Sequence, residues 1–61
     1  MNEALSAMIL SLLENSNRHV TEAGTNRSGG APDCAWTAHM VTAMLLKDTA
    51  EALRAAREKL R

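Results

Sequence analysis

His19, Cys34 and His39 are the residues through which this chain of 61 could do chemistry. A thiol beside an imidazole is the arrangement of a cysteine nucleophile, or half of a transition-metal site. A helical hairpin would bring His19 and Cys34 to the same end, next to its loop. No third group joins them. On a helix turning about 100° per residue, His39 lies about 140° around from Cys34 and cannot enter the same site within one chain. Structural zinc takes four ligands, and a catalytic thiol needs an oriented base. The chain also lacks a Ser-His-Asp set, a pair of carboxylates and a cofactor fingerprint, since Asp33 and Asp48 stand apart. The expectation is a non-enzymatic protein with no catalytic residue, no metal and no cofactor.

Two other stretches invite a functional reading. Gly24-Thr25-Asn26-Arg27-Ser28-Gly29-Gly30 has the composition of a phosphate loop. It lacks the Lys-Ser/Thr pair after the second glycine and the strand before the first, so a connector is expected instead. Arg54, Arg57, Lys59 and Arg61 form a basic C-terminal end that two copies of the chain could present to a nucleic-acid backbone. Against this, seven basic and seven acidic residues cancel over the whole chain, which removes the general attraction to polyanions. No aromatic side chain accompanies the basic cluster to stack on bases. Complementing the negative end of a helix is the simpler role for these cations.

The elements that would position these residues are two helices. Helix 1 is expected over about 3–22, with Asn2 as N-cap and Glu3 at the positive end of the helix dipole. Its apolar stripe runs through Leu5, Met8, Ile9, Leu12, Leu13, Ser16, His19, Val20 and Ala23. Gly24 is expected to supply a left-handed C-cap, and a Gly-rich loop to span about 23–31. Helix 2 should begin at Pro32 or Asp33 and run to about residue 60, carried by its many alanines. No period-2 alternation of β-branched residues signals a strand. Residues 1–61 form a single domain.

Helix 2 carries apolar residues on two sides. Cys34, Ala38, Val41 and Leu45 make one stripe, which continues toward Ala52, Ala56 and Leu60 and is expected to pack on helix 1. Trp36, Met40, Ala43 and Met44 make another. A hairpin cannot cover both, and a helix apolar on both sides is buried on both. With helices of about 30 Å and 43 Å, the stretch from Leu53 onward would also overhang helix 1 with an uncovered seam. A chain this short is marginal alone, and its single cysteine excludes an internal disulfide. Self-association is the remaining source of stability. The expected interface comprises Trp36, His39, Met40, Ala43, Met44, Leu53 and Leu60.

The expected fold is therefore all-α: a two-helix antiparallel hairpin that dimerises into a four-helix bundle. In outline this resembles the small plasmid copy-control hairpins of the Rop type, and that resemblance implies a dimeric bundle. It rests on architecture and carries no motif, so no functional residue follows from it. The long Gly-rich loop and longer second helix depart from that pattern. The apolar run from Ala7 to Leu13 is too short to cross a bilayer, and Glu3 is misplaced for a signal peptide. The function these features suggest is a small cytoplasmic interaction module of bacterial or phage type: a regulator, adaptor or inhibitor of a larger protein. The alternative is a nucleic-acid-binding dimer using Arg54, Arg57, Lys59 and Arg61.

Overall fold

The computed structural model describes residues 2–60. They form two helices, α1 (Asn2–Ser28) and α2 (Asp33–Lys59), packed side by side in a rod 47 Å long. Each helix has 27 residues, or about 40 Å of axis. The all-α hairpin is as expected, but the helices are equal in length and the connection is much shorter than a loop over 23–31.

The boundary of α1 is the first correction. Helix 1 does not stop near Glu22; it passes through Gly24 and ends at Ser28. The left-handed residue is Gly30, with φ of 78°. The amide of Ala31 donates to the Asn26 carbonyl at 2.9 Å, and that of Gly30 to the Arg27 carbonyl at 3.3 Å. These are the two bonds of a Schellman cap, so a glycine cap does terminate the helix, but two turns later. Glycine at position 24 lowers helix propensity by about 1 kcal/mol. Burial of Ala23 and stacking of the Arg27 guanidinium 5.1 Å over the Trp36 ring offset it, because packing more than propensity decides where a helix runs.

The two glycines should therefore respond oppositely to alanine. A Cβ on Gly24 would meet nothing within 4 Å, so Gly24→Ala is expected to stabilise the hairpin by about 0.5–1 kcal/mol. Gly30→Ala forces a side chain into the left-handed region and should cost about 1–2 kcal/mol. Urea or thermal unfolding of the two variants, compared with the parent chain, measures both.

At the start of α2, Pro32 lies in extended geometry (φ −57°, ψ 148°) and accepts the Ala35 amide through its carbonyl at 2.9 Å. Asp33 occupies the first turn, where a carboxylate is favoured, and Arg57 and Lys59 the last.

The seam between the helices follows a 3-4 spacing. On α1 it runs through Leu5, Ile9, Leu12, Ser16, His19, Ala23 and Asn26, with Leu13 and Asn15 half-buried beside it. On α2 it runs through Trp36, His39, Ala43, Leu46, Ala50, Leu53 and Arg57, with Ala35, Met40 and Thr42 half-buried beside it. This is a heptad repeat, the pattern of an antiparallel coiled coil. The buried positions fall every seventh residue: Ile9, Ser16 and Ala23 on one helix, Ala43 and Ala50 on the other. Ser16 fixes the register by donating its hydroxyl to the Ala43 carbonyl at 2.8 Å. Stepping outward from that bond by one heptad in opposite directions sets Ile9 across from Ala50 and Ala23 across from Trp36. Each layer thus sets a small residue against its partner, which lets the helices approach closely.

This register corrects the assignment of faces. Cys34, Ala38, Val41 and Leu45 do not pack on α1; they are exposed, and so are Ala52, Ala56 and Leu60. It is Trp36, His39, Met40 and Ala43 that turn toward α1. The physical reason is continuity. The stripe through Trp36 runs on to Ala43, Ala50 and Leu53, whereas the stripe through Cys34 meets Asp48 halfway along the helix. The expected overhang is absent too. Leu53 is half-buried, and the Arg57 guanidinium Nη1 donates to Ser6 Oγ of α1 at 3.0 Å.

Candidate functional site

Three features of the hairpin have chemical or binding potential. The first is a histidine pair. The 3-4 spacing places His19 three residues beyond Ser16 on α1, and His39 four residues before Ala43 on α2. The Ser16–Ala43 bond therefore brings the two rings face to face. Their Nδ1 atoms are 2.9 Å apart, with ring centroids at 5.1 Å and planes tilted by 32°. One Nδ1 donates its proton and the other accepts. Both residues are half-buried.

The pairing overturns two expectations. Cys34 is not His19's neighbour: it is exposed at the first turn of α2, on the side away from the seam. His39 does join a histidine of its own chain. The signal was present in the sequence, since both histidines occupy seam positions in register with small residues, but it is visible only once the heptad is recognised. Among the described residues, no group of three or more His, Cys, Asp or Glu side chains converges.

The second feature is the outer face of α2. Val41, Met44 and Leu45 are 49%, 60% and 62% exposed, and Cys34 and Ala38 are exposed beside them. At about 100° per residue these five span an arc about 120° wide. The arc ends at Lys47 and Asp48. Of the residues expected at an intermolecular interface, only Met44 and Leu60 remain exposed; Trp36, His39, Met40, Ala43 and Leu53 are covered to differing degrees by α1.

The third is a recess of about 260 Å³ near the loop, lined by Val20, Ala23, Gly24, Arg27, Trp36 and Met40. The Trp36 indole Nε1 donates to Asp33 Oδ1 at 3.2 Å, and Arg27 covers the ring from the other helix. The indole thus closes the loop end of the hairpin, between its own helix's first carboxylate and a cation from α1.

Among the described residues, the cations of the basic C-terminal end do not all face outward. Arg57 turns inward to Ser6, and its Nε is buried without a hydrogen-bond partner among the described residues. Arg54 and Lys59 are exposed. Arg61 lies outside the described residues.

No family model matches the chain, and neither a characterised protein nor a solved structure shows significant similarity to it. No described helix is long and apolar enough to cross a membrane.

Proposed function

We propose that this chain is a small, non-enzymatic protein-interaction module that acts as a homodimer in the cytoplasm, regulating, adapting or inhibiting a larger protein. The observation that carries this reading is the exposed face of Val41, Met44 and Leu45 on a hairpin whose own seam is already filled. Burying those side chains against a second copy removes apolar surface from water at roughly 25 cal/mol per Å². The hairpin alone has little to draw on. Apart from Ile9, the buried residues among those described are alanines and a serine, and small scaffolds usually add oligomerisation to such a core. Two hairpins joined through α2 make a four-helix bundle. The contact centres on the first half of α2, close to the loop, and leaves α1 of each copy free to meet the larger partner.

Light scattering on a sizing column tests the assembly. The expected species has twice the 6.6 kDa chain mass. Val41→Asp and Leu45→Asp should return it to the monomer mass with helicity retained, because neither side chain faces α1. A 6.6 kDa species at every concentration, or a dimer indifferent to both substitutions, overturns the reading.

A further inference from the structure

We propose that His19 and His39 form a binding site for a divalent late transition-metal ion, of the square-planar or octahedral kind that Cu(II) and Ni(II) prefer. The site is built by the seam, since the two rings come from opposite helices and the Ser16–Ala43 bond beside them holds their register. Imidazole nitrogen is a favoured ligand for such ions, and it must be unprotonated to bind. The hydrogen bond between the rings already requires one Nδ1 to be unprotonated. The other ring becomes a ligand by carrying its proton on Nε2 instead, which leaves both rings neutral.

The spacing suits one coordination geometry once the rings have turned. With metal–nitrogen bonds of about 2.0–2.1 Å, nitrogens that settle near their present 2.9 Å separation subtend about 90° at a shared ion. That is the angle between adjacent ligands in square-planar and octahedral coordination. Tetrahedral zinc would need the two nitrogens about 3.3–3.4 Å apart. The rings now face each other across their nitrogens, so each must swing about its Cβ–Cγ bond for the lone pairs to meet at one ion. That motion leaves the backbone register untouched. With no third protein ligand converging among the described residues, water completes the coordination. Such an ion exchanges readily. While bound it cross-links α1 to α2 and stabilises the folded hairpin in proportion to its concentration.

Nickel chloride titrated into the full chain, followed by thermal melts and by NMR of the histidine rings, tests the site. Added Ni(II) should raise the melting temperature where Mg(II) does not, and paramagnetic broadening should centre on both the His19 and His39 rings. The rise should survive in Cys34→Ser, which removes the exposed thiolate as a competing ligand. It should vanish in His19→Gln and in His39→Gln, whose amides keep a polar group at the seam. A melt unaffected by Ni(II), broadening centred on Cys34 or a chain end, or a rise that persists in either glutamine variant overturns the proposal. If the glutamine variants do not fold, the pattern of broadening in the parent chain decides alone.

Discussion

Ile9→Ala is expected to unfold a large fraction of this protein at room temperature. Ile9 is the largest of the buried side chains, at 4% exposure, and it occupies the seam between Leu5 and Leu12. Truncating a buried isoleucine to alanine commonly costs about 2–5 kcal/mol, combining lost transfer energy with the cavity left behind. At about 0.05–0.15 kcal/mol per residue, a chain of this size has a total stability of only about 3–9 kcal/mol. Among the described residues, the other buried ones are Ser16, Ala23, Ala43 and Ala50, whose short side chains cannot reach across to refill the gap. The leucines nearby are already half-exposed, so water enters more readily than a side chain does. Circular dichroism during a urea titration should show a midpoint shifted far below that of the parent chain. A shift under about 1 kcal/mol would mean that the seam is not where the stability resides.

The hairpin was legible from the sequence because its signals are local. Glu3 in the first turn of one helix, Pro32 and Asp33 at the start of the other, and an apolar stripe through Ile9, Ser16 and Ala23 each act within a few turns. Asn2 is the first residue of α1 and not its cap, so the cap position of that helix lies outside the described residues. The end of α1 was less legible. Two glycines could cap a helix here, and the choice of Gly30 over Gly24 is made by contacts from the other helix, with Arg27 on Trp36 the clearest. The facing side of α2 was harder still. On a wheel of 3.6 residues per turn, the stripes through Cys34 and through Trp36 look equally apolar over their first dozen residues. They separate only when followed for the length of the helix at 3.5 residues per turn, where one reaches Asp48 and the other reaches Ala50 and Leu53. The histidine pair depended on that same choice. With the faces exchanged, His39 reads as an outward residue and Cys34 as His19's neighbour. Either choice of face leaves one stripe of α2 uncovered by α1.

The small residues of the seam make the complementary prediction, and Ala50 is the sharpest place to test it. Its side chain is 1% exposed, and the register set by Ser16 and Ala43 places it across from Ile9. Ala50→Leu adds bulk where the helices approach closely. Overpacking of this kind typically costs about 1–3 kcal/mol. Neither helix can bend away locally, since the Ser16–Ala43 bond lies one heptad along the seam. The bulk must be absorbed by spreading the hairpin, which weakens that bond as well. The large-against-small layer implies a coupling that a general intolerance of α2 would not produce. In the double variant Ile9→Ala with Ala50→Leu, the added side chain fills the space the isoleucine vacated. The combined loss should then fall well short of the sum of the single losses, by about 1–3 kcal/mol, the size expected for residues that share one cavity. A strictly additive pair would place Ile9 and Ala50 in separate layers and shift the register by at least one turn. Ala55→Leu serves as the control, because position 55 is exposed on the outer side of α2 and should tolerate leucine with little change in stability.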